Sequence, residues 1–238
     1  MKALTLHVAV ENLRLAKPFR ISGFVFEAQD VVVVTLDDGA HRGQGEASGV
    51  YYLGDTAETM VAAIEAHRDA IEGGINRTAL QRLMPPGGAR NAVDCAFWDL
   101  EAQRSAREVW ELAGLPEVKP LVTTFTLGAD DPAVMADGAR VFANARALKM
   151  KLTGDLDIDI ARVTAVRAAR KDTWLGVDAN QGYGIDALEK LMPALVEARV
   201  ALLEQPIRRG READLDHFRS PIPIAADESV RTGQMVTL

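Results

Sequence analysis

Leu148-Lys149-Met150-Lys151 opens a series of four short apolar runs that each end in a charged residue. The others are Trp174-Leu175-Gly176-Val177-Asp178, Val200-Ala201-Leu202-Leu203-Glu204 and Ile222-Pro223-Ile224-Ala225-Ala226-Asp227. Each reads as a buried strand with the charge at its tip. The intervals Lys151 to Asp178, Asp178 to Glu204 and Glu204 to Asp227 are 27, 26 and 23 residues, each the length of one strand-loop-helix-loop unit of a parallel sheet. Between the runs lie helical patterns, clearest from Asp155 to Arg170, where Leu156, Ile160, Val163 and Val166 fall at helix spacing, with acids in the first turn and arginines in the last. Strands alternating with helices, with charges at the C-terminal strand tips, predict a (β/α) barrel whose active site lies at that rim.

Working back from these runs, Leu121 to Leu127 reads as the first barrel strand, and Asp131-Pro132 caps the helix after it. Pro116 to Pro120 marks a boundary, which divides the chain into an α+β domain (1–118) and the N-terminal part of a barrel (119–238). In the first domain Leu4, Leu6, Val8 and Val10 alternate as in a strand, Leu15 to Gly23 reads as a loop, and Val31 to Leu36 returns through the turn Asp37-Asp38-Gly39. After the irregular Ser48 to Gly54, Asp55 or Thr56 caps a helix that turns Met60, Ile64 and Ile71 inward, and Pro85-Pro86-Gly87-Gly88 precedes a mostly apolar helix from about Ala89 to Ser105. Cys95 falls in that helix and reads as an inert core thiol; Trp98 and Trp110 likewise read as core.

Composition narrows the function. A net charge of −7 with no Lys/Arg-rich run argues against a nucleic-acid partner. No apolar run approaches membrane-spanning length, and the single cysteine fits a reducing cytoplasm. A small-molecule substrate is the expectation. Five strand runs are present where a closed barrel has about eight, so the sequence is expected to be a piece of a longer protein, or a barrel completed by another chain. A reading from a different class is a non-catalytic, partner-binding half-barrel.

On a strand, residues two apart face the same way, so Lys149 and Lys151 point into the barrel mouth while Met150 and Leu152 pack outward. Asp178, Glu204 and Asp227 reach the same rim from the next three strands. Taken singly, each acid could cap a helix or pair with an arginine. Together they repel unless a cation neutralises them, and an all-oxygen set favours a hard ion such as Mg²⁺. A lysine beside that ion and a second lysine is expected to have a depressed pKa, which suits a base that takes a proton. Metal plus lysine answers one chemical problem: removing a proton α to a carboxylate, where a second negative charge builds on the carboxylate oxygens.

Leu148-Lys149-Met150-Lys151, Val177-Asp178-Ala179-Asn180, Leu203-Glu204-Gln205-Pro206 and Ala226-Asp227-Glu228-Ser229 together resemble the motifs of the enolase superfamily, in its muconate-lactonising subgroup; this superfamily's lysine or histidine base with Mg²⁺ is itself a known pattern. The resemblance covers nearly the whole chain, because residues 91–100 are similar to the family's capping domain. It implies Asp178, Glu204 and Asp227 as Mg²⁺ ligands, Lys151 as acid/base, Lys149 as its electrostatic partner, and two substrate-closing loops at Lys17 to Gly23 and Ser48 to Gly54. Pro18-Phe19-Arg20-Ile21-Ser22 and Thr124-Phe125-Thr126-Leu127-Gly128 look most like epimerases of the L-Ala-D/L-Glu dipeptide type. Phe19, Arg20, Tyr51, Thr124 and Thr126 are then substrate-binding candidates, Arg20 either pairing with a substrate carboxylate or standing as an unpaired loop arginine. Asn180 and Glu228 become supports of the metal site. The family's second acid/base lysine falls near position 250. N-acylamino acid racemase, o-succinylbenzoate synthase and muconate cycloisomerase share the first half-reaction and stay open as alternatives, and the family is often homo-oligomeric.

Overall fold

The computed structural model describes residues 4–230. Contacts divide the chain into two compact units, Met1–Ala16 with Ala28–Pro120, and Lys17–Glu27 with Leu121–Leu238.

The first unit is built on a three-stranded sheet, β1 (Thr5–Ile21), β2 (Phe24–Asp37) and β3 (Arg42–Ala47), in that order. The predicted turn joins β2 to β3, which pair antiparallel from Val32↔Ala47 to Asp37↔Arg42. The segment expected to be a loop, Leu15 to Gly23, is instead the end of β1 and a tight turn into β2, where Gly23 takes φ +75°. Its sequence hides this because most of β1 is exposed on both faces, and a strand that buries neither face needs no alternation.

Five helices follow: α1 (Ala57–Glu65), α2 (Arg68–Glu72), α3 (Arg77–Leu83), α4 (Gly88–Ser105) and α5 (Val109–Leu112). Thr56 caps α1 through a reciprocal bond with Thr59. Met60, Ile64 and Ile71 join Val32, Val34, Leu36, Val93, Phe97 and Leu100 in one core. Trp98 is half-buried, with the Arg77 guanidinium 3.3 Å from its ring centroid. Cys95 is exposed, contrary to the expected core thiol: Ala92, Val93, Ala96, Phe97 and Leu100 take the inward positions of α4.

Helix α4 lies directly on β3. A Cβ at Gly43 would collide with Ala96 O and Leu100 N, and one at Gly45 with Ala92 O and Ala96 N. The two glycines on the inward face of β3 therefore set the helix-to-strand distance.

The second unit carries a five-stranded parallel sheet in sequential order: β4 (Phe125–Leu127), β5 (Ala147–Lys151), β6 (Trp174–Asp178), β7 (Leu202–Glu204) and β8 (Ile224–Ala225). Helices α6 (Pro132–Val141), α7 (Leu156–Ala169) and α8 (Ile185–Glu197) connect the first four strands, and a short turn of 3₁₀ helix at Glu212–Leu215 lies before β8. The first strand is shorter than the predicted Leu121 to Leu127. Pro132 opens α6 as its sequence predicts, although the Asp131 side chain makes no capping hydrogen bond, and Asp155 caps α7. The outward face of the sheet (Leu148, Met150, Leu152, Leu175, Val177, Leu203) packs with Val163, Val166, Leu188, Leu191 and Leu195 of the helices. Each such fully buried side chain is worth roughly 1.5–3 kcal/mol of transfer free energy. These are five sequential parallel strands of a (β/α) barrel, incomplete over these residues.

The close approach of α4 to β3 generates a prediction. Gly45→Ala is expected to destabilise the protein by about 1–3 kcal/mol, read as a lower urea midpoint, while Gly39→Ala, where added atoms meet open space, should cost only the strain of its positive φ.

Candidate active site

Register brings the charges together. Lys151 is level with Asp178, Asp178 with Glu204, and Glu204 with Ala225, so that Asp227 lies two residues beyond on β8's side of the rim. Thr126 is level with Lys149. Met150 is buried while Lys149 and Lys151 are only partly so, which is the inward/outward alternation that the sequence predicts.

Lys151 Nζ lies 2.6 Å from Asp178 Oδ2, and Lys149 Nζ lies 2.9 Å from Glu204 Oε2 and 3.4 Å from Asp178 Oδ2. Asp178 has no exposed surface, and its other oxygen accepts from Asn180 N at 3.0 Å. Asn180 adopts φ +41° to make that bond, a conformation asparagine tolerates better than most residues. Its amide nitrogen donates to Glu228 Oε1 at 3.2 Å, and Glu228 is also buried.

Two titration shifts expose the balance of charge. Burial pushes the Glu204 carboxyl above its ordinary value; Lys149 pulls it down, but Asp178 and Asp227 push it up again, and the upward pull prevails. Burial alone would lower Lys149, yet its hydrogen bond to Glu204 and the charges of Asp178 and Glu204 hold it above the ordinary lysine value. Lys149 is thus held in its charged form, because carboxylates are its nearest neighbours. Beside burial, both shifts reflect three carboxylates acting on two ammonium groups, which leaves the rim short of positive charge.

The donor chemistry therefore fits a hard divalent cation. Asn180 Oδ1 and Glu228 Oε2, buried acceptors without a hydrogen-bond partner among the described residues, fit it too, since a cation's bound waters are donors. Among the described residues, no three His, Cys, Asp or Glu side chains are already gathered closely enough to hold a metal. Asp178 and Glu204 meet across Lys149, whereas Asp227 is exposed.

Phe19, Arg20 and Thr126 come together in a cavity of about 370 Å³ that is also lined by Asp130, Met135 and Phe142. Arg20 is not unpaired: its Nη1 lies 3.3 Å from Asp130 Oδ2, with both side chains more than 40% exposed, and its carbonyl accepts from Ala129 N. Thr124 is exposed just before β4 and does not line this cavity. The Tyr51 side chain lies outside the described residues.

Two residues of the site escaped the sequence reading. Asp159 reads as one more acid in the first turn of α7, yet it is fully buried. It accepts from Thr153 N and Gly154 N (2.9 Å each), Tyr183 Oη (2.6 Å) and Arg162 Nη1 (2.7 Å). Burial and the neighbouring Asp159 carboxylate push the Tyr183 phenol well above its usual range. Arg162 also reaches Asp130 O at 2.7 Å, so one carboxylate ties together the loops that follow β4, β5 and β6. The signal in sequence was the pair Asp159 and Arg162 at i, i+3. The second is Gln205, almost fully buried within the Glu-Gln-Pro motif.

Comparison with known proteins points one way. Residues 3–114 match the mandelate racemase/muconate lactonizing enzyme N-terminal domain, and residues 133–237 the enolase C-terminal domain-like family. The chain is similar to the L-Ala-D/L-Glu epimerase of Escherichia coli, 35% identical over 96% of this chain and 71% of that one. Among solved structures it is similar to an enolase family member from Agrobacterium tumefaciens with homology to dipeptide epimerases, holding sodium and L-Ala-L-Glu (TM-score 0.92, 37% identity, 98% of this chain and 71% of that one). It is also similar to a dipeptide epimerase from Enterococcus faecalis complexed with Mg and L-Leu-L-Tyr (TM-score 0.90, 29% identity, 99% and 70%).

The shortage of positive charge has a measurable sign. Glu204 titrates higher folded than unfolded, so its contribution to stability is present while it is protonated and is lost as pH rises upward from the ordinary glutamate value. In EDTA, the melting temperature of Glu204→Gln minus that of wild type is expected to increase from about pH 4 to about pH 7. A difference that stays level across that range would remove the imbalance.

Proposed function

The chain belongs to the enolase superfamily and is of its dipeptide-epimerase type, and on that premise we propose that it carries out Mg²⁺-dependent epimerisation of a dipeptide through α-proton abstraction. The observation that carries this reading is the cluster of Lys149, Lys151, Asp178 and Glu204 held in register at the strand ends. Asp178, Glu204 and Asp227 would hold the metal, which when bound supplies positive charge for the substrate carboxylate. Lys151 Nζ, held at the rim 2.6 Å from Asp178 Oδ2, would take the α-proton from one face of the substrate. Lys149, beside it on the same strand face, opposes the negative charge that builds on the carboxylate as the α-carbon becomes planar.

Arg20 supplies selectivity in this reading. Its pairing with Asp130 is half-exposed and worth little, so a substrate side-chain carboxylate can compete for the guanidinium in a cavity whose other walls are Phe19 and Thr126. Asn180 and Glu228 support the metal ligands from behind. No helix among the described residues is long and apolar enough to cross a membrane; a cytoplasmic enzyme, with copies associating as a homo-oligomer, completes the proposal.

The test is proton–deuteron exchange followed by NMR in D₂O, with Mg²⁺ and a panel of L-Ala-L-X dipeptides and N-acyl amino acids. Loss of the α-proton signal from a dipeptide is expected. Lys151→Ala should slow it by about 10²–10⁴-fold, and Arg20→Ala should raise KM for L-Ala-L-Glu more than for a neutral dipeptide. No exchange from any compound by folded, Mg²⁺-binding protein would sink the assignment, and exchange confined to N-acyl amino acids would replace it by the racemase alternative.

A further inference from the structure

We propose that Gln205 is a positioning residue that fixes Asp227 relative to Glu204, so that Mg²⁺ affinity depends on a side chain that touches no metal; the inference rests on the metal reading above. Of the three acidic ligands, Asp178 and Glu204 are fixed by strand register, because each ends a strand paired on both sides. Asp227 is not. It lies past the last residue of β8, its side chain is exposed, and the ladder between β7 and β8 has closed at Glu204↔Ala225. Something other than the sheet must hold it.

Gln205 does so with both ends of its amide. Its Oε1 accepts from Asp227 N at 2.9 Å and from Ser229 N at 3.1 Å. Its Nε2 donates to Ser229 Oγ at 2.8 Å and to Ile207 O at 2.9 Å. The amide is thereby saturated, and no other orientation of it serves these four partners, since two are N–H donors and one is a carbonyl. The main chain is tied as well: Gln205 N donates to Ala225 O and Gln205 O accepts from Gln181 N, both at 2.8 Å. The ends of β6, β7 and β8 thus meet on one buried residue.

Backbone conformation adds an independent sign. Gln205 has φ +37°, a region that L side chains other than asparagine and aspartate rarely enter. A glycine would relieve the strain but could not make the bonds. Retaining glutamine there directs the side chain towards the Asp227–Ser229 segment immediately after Glu204 has turned inward. A strained, saturated and buried amide next to one metal ligand and bonded to the backbone of another is the expected form of a ligand support.

The experiment is isothermal titration of the full chain with MgCl₂, comparing wild type, Gln205→Leu, Gln205→Asn and Asp227→Asn, each first checked for folding by circular dichroism and melting in EDTA. Gln205→Leu keeps the bulk and loses all four side-chain bonds; Gln205→Asn keeps the amide but is one methylene too short, and remains readable if the leucine variant does not fold. Both are expected to weaken Mg²⁺ binding by about 10- to 100-fold, approaching the loss in Asp227→Asn. Variants that fold and bind Mg²⁺ within twofold of wild type would overturn the role of Gln205 while leaving the metal site standing. A wild-type chain that binds no Mg²⁺ would instead overturn the metal reading, and this inference with it.

Discussion

A fully buried carboxylate, Asp178, sets the terms for the rim. Removing such a charge from water costs several kcal/mol unless neighbours compensate, and here they come from three directions: Lys151 and Lys149 from β5, and Asn180 N from the turn that follows. None of these contacts is made by choice of rotamer alone. They exist because main-chain ladders place Lys151 level with Asp178 and Asp178 level with Glu204. A one-residue slip of any of these strands would turn its charge towards the helices.

Compensation is nevertheless incomplete, and the incompleteness is where chemistry enters. Ion pairs hold the two lysines at the carboxylates, while burial and the charges of Asp178 and Asp227 raise the Glu204 carboxyl above its ordinary value. Asp178, Glu204 and Asp227 would hold a cation at such a rim, and its positive charge would make up the deficit. The scaffold around it is stiffened by two different hubs. Asp159 gathers N–H and O–H donors from loops at the β4–β6 ends, and Gln205 gathers donors and acceptors at the β6–β8 ends. A carboxylate suits the first because all its partners donate; an amide suits the second because two of them, Ile207 O and Ser229 Oγ, accept.

The sequence made the rim legible for a simple reason. Parallel strands buried on one side by helices must be apolar, so a charged residue at the end of each run stands out, and regular spacing converts four such endings into one site. What escaped was whatever lacks a contrast of that kind. The segment Leu15 to Gly23 is strand end and turn without alternation, since Leu15 to Pro18 are exposed on both faces and burial begins only at Phe19. Cys95 sits among alanines, valine and phenylalanine, and the side of α4 that faces inward is decided by distant partners, the glycines of β3 and the core residues of α1 and α3. Asp159 looked like an ordinary helix-start acid, and its burial depends on Tyr183 and Arg162 closing over it. Gln205 was quoted within a motif, but its bonds reach residues more than 20 positions away, and no local pattern announces them.

The same glycines carry a thermodynamic consequence. Where α4 meets β3, the facing residues Gly43, Gly45, Ala92 and Ala96 have no side-chain rotamers to immobilise. Docking helix on strand forfeits no side-chain entropy at these four positions; Leu100 adds a share of roughly 0.5–1 kcal/mol, and Cys95, Asp99 and Asn91 at the contact add theirs. The cost moves to the unfolded chain, in which each glycine roams more widely than any other residue. The first unit therefore spends its ordering entropy on main chain, and the contact it obtains is one in which backbone, not side-chain shape, specifies the fit.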